Sequence, residues 1–208
     1  MSEVESAGFA ISLTELFPIL DAALASTTAR SGGWLACKPG CHQCCVGVFP
    51  ISQLDAEVLR EALDLAEHGV ADRIRSRAAA ARARLTAEFP GDPASGLLFT
   101  EPQHEDAFQE FANDEPCPVL DPSTGTCDLY AARPVQCRVF GPPVRDEDDN
   151  LTVCELCFVN APADEVARCE MDQGWRPLED EMIAAAEQRS GLHGPTLIAF
   201  ALSPNQQS

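Results

Sequence analysis

Apolar residues recur at helical spacing in four stretches of the chain. Leu13, Leu16, Phe17, Leu20, Ala23 and Leu24 mark a helix over about residues 14 to 29, which Ser31, Gly32 and Gly33 stop. Pro18 has no N–H to give, so this helix starts no earlier than about Glu15 or is kinked. A second helix follows Ser52, a good N-cap with Asp55 three residues on, and carries Leu54, Val58, Leu63 and Ala66 to about His68, where Gly69 ends it. A third, over residues 71 to 89, sets Ile74, Ala78, Ala81, Leu85 and Phe89 on one face, with Arg73, Arg77 and Arg84 on one flank and Arg75 and Arg82 on the other. Long arginine stems beside a buried stripe, paired with the chain's many carboxylates, account for that arrangement without an anion site. The fourth helix, residues 177 to 190, has Pro177 at its first position, Glu179, Asp180 and Glu181 in its first turn, and Arg189 and Gly191 at its close. Leu197, Ile198 and Phe200 then offer a short docking segment before a frayed tail over residues 203 to 208.

Between these helices periodicity fails. Residues 90 to 115 turn to Pro, Gly, Asp and Glu and read as an exposed, partly mobile acidic connection, docked locally by Phe108 and Phe111. Arg138 to Val153 reads as a hairpin whose turn is the acidic run Asp146 to Asn150. Pro39 and Gly40 keep residues 37 to 45 from being regular helix, so that segment is a tight loop.

Charge narrows the partners. The 208 residues carry 33 acidic against 14 basic side chains, a formal net charge of −19. A negative field opposes the phosphate-neutralising route to nucleic acid and to anionic lipid, so neither partner is expected. No run approaches the ~18 apolar residues of a membrane span, and Glu3 and Glu5 stand where an export signal carries basic residues. The expectation is a soluble, cytoplasmic protein folded as a single domain over residues 1 to 208, with a cysteine-rich core over about 37 to 157.

The ten cysteines ask for a reason. At about 5% they fall short of a small disulfide scaffold, and a chain of this length has no need of staples. Metal ligation and redox chemistry remain, and spacing must decide. Cys37-x3-Cys41-x2-Cys44, with Cys45 adjacent, places thiolates three and four residues apart, where they can meet on one metal or cluster. Vicinal Cys44 and Cys45 make a poor disulfide. Downstream come Cys117-Pro-Val-Leu120, Cys127-Asp-Leu-Tyr130 and Arg133-Pro-Val-Gln-Cys137-Arg138-Val-Phe140, and then a C-x2-C pair, Cys154 and Cys157. Two four-ligand sites are affordable, for instance Cys37, Cys41 and Cys44 with a distant fourth thiolate, and a second from Cys117, Cys127, Cys154 and Cys157. His42 lies in the loop, while His68, His104 and His193 are isolated and read as solvent-facing or capping.

Taken together, these elements resemble the YkgJ-type cysteine-cluster family of zinc- or iron-chelating domains, in order and over roughly residues 37 to 140. The resemblance places Cys37, Cys41, Cys44, Cys45, Cys117, Cys127 and Cys137 on the family's cysteines, and Tyr130, Arg133, Pro134 and Arg138 on its other hallmark positions. Relatives often carry one more cysteine, a place that Cys154 or Cys157 can fill, whereas Cys169 has no counterpart. Arg133 and Arg138 flank Cys137, where guanidinium groups can offset the −2 charge of a tetrathiolate zinc or of an oxidised four-iron cluster, or else pair with carboxylates. Tyr130 reads as a packed aromatic.

The fold class expected is therefore mainly α with a small β-hairpin, helices surrounding an irregular cysteine-rich metal-binding centre. The function expected is metal binding, by an iron–sulfur cluster in preference to zinc, because zinc sites usually pair C-x2-C halves and no histidine stands at zinc spacing. No nucleophile elbow, phosphate loop, dinucleotide fingerprint or H-E-x-x-H is present. The enzyme alternative is a metal-dependent, S-adenosylmethionine-using methylase related to the flagellin lysine-N-methylases, which share a similar cysteine-rich element. A third alternative is a thiol-redox protein acting through Cys154 and Cys157, although no thioredoxin-like βαβ pattern surrounds them.

Overall fold

The computed structural model describes residues 15–38, 40–146 and 149–203. Four long helices carry it: α1 (Phe17–Ser31), α2 (Gln53–Leu65), α3 (His68–Leu85) and, later in the chain, α7 (Arg176–Ser190). Four short ones lie between and after them: α4 (Glu105–Gln109), α5 (Val135–Val139), α6 (Ala163–Arg168) and α8 (Ile198–Leu202). The strands form three antiparallel two-residue pairs, β1 (Gly91–Asp92) with β2 (Leu97–Leu98), β3 (Leu120–Asp121) with β4 (Thr126–Cys127), and β5 (Val144–Arg145) with β6 (Leu151–Thr152). The protein is mainly α with small hairpins.

Local chemistry sets the helix ends. Pro18 occupies the first turn of α1, as its missing N–H requires, and Gly32 closes the helix at φ 52° with its N–H on the Thr28 carbonyl. Ser52 and Asp55 form a reciprocal capping box on α2. That helix ends at Leu65, not His68: the chain turns extended at Ala66 and Glu67, and Gly69 falls inside the first turn of α3 instead of stopping α2. Pro177 opens α7 and Gly191, left-handed at φ 68°, closes it by donating to the Glu187 carbonyl.

The main core joins Leu16, Phe17 and Leu20 to Leu54, Val58, Leu59 and Leu63 of α2, Ile74 and Ala78 of α3, Val135 and Val139 of α5, and Met171, Trp175 and Met182. A second cluster packs Ala81 and Leu85 against Phe89, Leu98, Phe111, Leu197 and Phe200, with the Phe89 and Phe200 rings stacked 4.1 Å apart. The docking expected of Leu197, Ile198 and Phe200 is thus present: all three are buried, two of them in α8. Ser203 is buried beside them, and residues 204–208 lie outside the described residues.

Segment 90 to 115, which showed little periodicity, contains the β1–β2 hairpin and α4, and Phe111 anchors it in the second cluster. The hairpin expected over Arg138 to Val153 is shorter than its pattern implied. Arg138 belongs to α5, and pairing is confined to Val144 with Thr152 and Arg145 with Leu151. Of its acidic turn, residues 147 and 148 lie outside the described residues. Four of the five arginines of α3 find internal partners: Arg75 binds Asp64, Arg77 binds Asp128 and the Pro118 carbonyl, Arg84 binds Glu115, and Arg82 donates to the Pro93 carbonyl over the Phe200 ring. Among the described residues no helix is long and apolar enough to cross a membrane.

One buried carboxylate connects these layers. Asp55 accepts from the Ser52 N–H at 3.2 Å and hydroxyl at 3.0 Å, and its other oxygen accepts from the Val135 N–H at 3.0 Å, so it caps α2 and holds the start of α5. Burial pushes its carboxyl up, opposed by those donors and by Arg138. Asp55→Ala removes a cap and orphans the Val135 N–H, and it is expected to lower unfolding stability by about 3 kcal/mol in urea titration. Asp55→Asn, which keeps an acceptor, should cost less; an alanine variant as stable as the parent would contradict the assignment.

Candidate metal centre

Five cysteines come together from four places in the chain. A single turn of 3-10 helix, Gln43–Cys45, holds the vicinal pair, with the Cys45 N–H on the His42 carbonyl. Residues 45 to 48 then run antiparallel to 112 to 117: Cys117 donates to the Cys45 carbonyl at 2.8 Å, Gly47 to Glu115 at 2.9 Å and Val48 to Ala112 at 3.3 Å. Gly47 is needed there, since at φ 88° an added Cβ would stand 3.1 Å from the Asn113 carbonyl oxygen. The β3–β4 pair registers Leu120 opposite Cys127, which folds Cys127 back toward Cys117. Arg77 of α3 pins both arms of that turn, through the Pro118 carbonyl and the Asp128 carboxylate. Cys137 lies in α5, whose first N–H Asp55 holds.

The electrostatics of this group follow from its crowding. Burial raises Cys117 to about 11 against the N–H groups of Val119 and Leu120, which point at its sulfur, and Cys127 is raised likewise against the Leu129 N–H. Burial also lifts Cys137, with Cys117, Cys44 and Asp55 adding to the rise. Cys44 goes the other way, lowered from 9.0 to about 6, first by the hydrogen bond from Cys45, then by its own N–H and by the charges of Arg133 and His42; Cys45, the donor, rises. Bound cations invert this balance, because each thiolate then faces positive charge instead of its neighbours.

Four cysteines form the remaining group. Cys37 and Cys157 place their sulfurs 3.9 Å apart, and Cys41 and Cys154 are close enough to act on Cys37. Burial, then these three neighbours, raise the Cys37 thiol to about 12. Cys154 and Cys157 are buried in a small cluster with Phe158 and Cys169, while Cys37 arrives from an exposed loop. Pro39, inside that loop, lies outside the described residues. The two groups face a common cleft of about 370 Å³, lined by Cys44, Cys137 and Cys154 and spanned by a 2.7 Å hydrogen bond from Gln43 to Glu155. Among the described residues no three His, Cys, Asp or Glu side chains are grouped so that they could hold a metal ion as they stand. These are gathered thiols, and all ten cysteines are free.

Cys41 and Cys154 bear on Cys37, and Cys44 bears on Cys45, Cys117, Cys127 and Cys137. Of the two arginines, Arg133 acts on Cys44 and Cys127. Arg138, 3% exposed, is engaged by Asp21 at 2.9 Å, by the Arg133 and Ala131 carbonyls and by the Phe17 ring beneath it. Tyr130 is not packed but 64% exposed, its ring a platform for the Arg133 guanidinium at 4.0 Å. His42 holds the Gly40 carbonyl, His68 starts α3, His104 lies against Phe99, and His193 faces Glu187. Sequence reasoning missed Asp55 beyond its capping role, because its bond to Val135 spans 80 residues and leaves no local signal.

A thiol lowered to about 6 has a readable consequence. Between about pH 6 and 9 the folded chain holds Cys44 ionised where the unfolded chain holds it protonated, so the stabilisation it contributes is lost as pH falls through about 6. In reduced, chelator-treated protein, alkylation of Cys44 by iodoacetamide, followed by mass spectrometry, should have its midpoint near pH 6 and precede that of Cys117. Cys45→Ala should shift the midpoint up most and Arg133→Gln less; a Cys44 midpoint near 9 in the parent would contradict this.

Comparison with curated proteins and with solved structures gave no match to either. Comparison with protein families gave one, to the family described as "Putative zinc- or iron-chelating domain", over residues 36–158. The match spans more than half of the chain and takes in every cysteine of both groups. With its thiols gathered on those same residues, the chain belongs to this cysteine-cluster family of zinc- or iron-chelating domains.

Proposed function

We propose that this is a cytoplasmic metal-binding protein that holds an iron–sulfur cluster, in preference to zinc, in the group of Cys44, Cys45, Cys117, Cys127 and Cys137. The observation that carries the reading is the convergence of five thiols, from four separate elements, inside a domain of a metal-chelating family. The donor set is all sulfur, which suits a cluster or a tetrathiolate zinc and disfavours hard cations. The N–H groups at Cys117 and Cys127 and the Arg133 guanidinium supply the outer-shell donors that a polyanionic centre needs. Four thiolates suffice for one centre, so the vicinal pair leaves a spare. Ten free cysteines fit a reducing compartment.

Such a centre would fasten residues 44 and 45 to residues 117 to 137 across a connection of about 70 residues. Metal bound only to the folded state stabilises it by mass action. In protein purified without air from iron-replete cells, the account predicts iron, sulfide and a visible chromophore. Cys117→Ser and Cys137→Ser should each lose the chromophore and melt several degrees lower, whereas Cys169→Ser should keep both. Colourless parent protein with stoichiometric zinc would overturn the cluster, and a Cys137→Ser chain with full metal and full stability would overturn the site.

A further inference from the structure

We propose that Cys37, Cys41, Cys154 and Cys157 form a second metal site, separate from the five-thiol group, and that it holds one divalent ion in an all-sulfur tetrahedron instead of a four-iron cluster. This goes beyond the reading above and does not depend on it.

The spacing of the sulfurs is the first argument. Bonds of 2.3 Å to a tetrahedral zinc set its thiolates about 3.8 Å apart. The Cys37 and Cys157 sulfurs stand at 3.9 Å, far beyond a disulfide bond and already close to that edge. A four-iron cluster, by contrast, bonds each thiolate to a different iron and spreads the sulfurs farther. The remaining corners fall to Cys41 and Cys154, whose thiols both bear on Cys37.

Backbone geometry is the second. Cys154 to Cys157 closes a tight turn, with the Cys157 N–H on the Cys154 carbonyl at 2.8 Å and the Leu156 N–H directed at the Cys154 sulfur. The Cys154 N–H in turn holds the Gly141 carbonyl at 3.3 Å. Gly141 gives up its own side-chain volume to this group: at φ 126°, an added Cβ would lie 2.6 Å from the Cys37 sulfur. The Cys37 arm is positioned just upstream, where Phe158 donates to the Trp34 carbonyl at 2.8 Å and stacks on the Trp34 ring. Thus two segments 120 residues apart, one exposed and one buried, present paired thiols to each other.

Binding is an exchange of protons for metal. The thiols give up their protons as the ion enters, four metal–sulfur bonds form, and the site goes to a net charge of −2 with no change of oxidation state. No oxidant is required, which separates the proposal from a redox role for Cys154 and Cys157.

The test uses Co²⁺ as probe, titrated anaerobically into the full chain and read by its tetrahedral d–d bands, its thiolate-to-metal charge transfer and its stoichiometry. The Cys154→Ser/Cys157→Ser chain should bind one equivalent fewer than the parent. The Cys117→Ser/Cys137→Ser chain should retain one tetrahedral tetrathiolate ion. Gly141→Ala keeps all ten thiols, so it guards against a fold lost with the double variants; it should weaken the retained site at least tenfold and leave the other equivalent unchanged. Equal stoichiometry in the parent and the Cys154/Cys157 variant, a retained ion without tetrathiolate bands, or unaltered affinity in Gly141→Ala would each overturn the proposal. If instead the Cys117/Cys137 variant binds as much as the parent, the five-thiol reading fails and this one stands.

Discussion

The cysteine-rich centre depends on one buried carboxylate. Asp55 sits at the first turn of α2, and its two oxygens face opposite ways, one to Ser52 and one to the start of α5. A charged group that is 4% exposed is tolerated only because donors surround it, and they happen to belong to two elements far apart in the chain. Through Val135 it fixes the helix that carries Cys137, and its charge is felt by that thiol and by Glu179 of α7, which burial and then Asp55 raise to about 7. Loss of Asp55 would therefore free the start of the helix that carries Cys137 as well as uncap α2.

The same division of labour runs through the molecule. Apolar faces of α1, α2, α3, α7 and α8 make the core, but the irregular segments that carry the cysteines are positioned by polar clamps from those helices. Arg77 holds the turn between Cys117 and Cys127, Arg84 holds Glu115 beside the strand-like crossing at Cys45, and Asp21 of α1 receives Arg138 and, more distantly at 3.8 Å, Arg133. Loops rich in Pro, Gly and Cys bury too little apolar area to fold by themselves. Clamping them to helices, and then closing them with metal, is a physical route to order.

Much of the helical frame was legible because periodicity and caps agreed: Ser52 with Asp55, Pro18, and Pro177 with Gly191 all act where their chemistry places them. The short helices were not, since five or six residues such as Val135–Val139 span too few turns to show a period. The second helix ended early, because the chain turns extended at Ala66, and Gly69 lies inside the first turn of α3. Which residues are the cysteine clusters was legible; which distant cysteines each loop thiol meets was not. One loop reads as one ligand set, yet Cys37 meets Cys157 at 3.9 Å, and the pairing of Val46 with Pro116 brings Cys45 beside Cys117. That division rests on contacts across 70 residues or more, which spacing within the loop cannot encode.

The central claim is that the fold divides this loop between two centres. An anomalous-scattering map of metal-loaded crystals tests it most directly. The account predicts two separate metal peaks, one among Cys37, Cys41, Cys154 and Cys157 and the other among Cys44, Cys45, Cys117, Cys127 and Cys137; a single peak bound by Cys37, Cys41 and Cys44 together would contradict it.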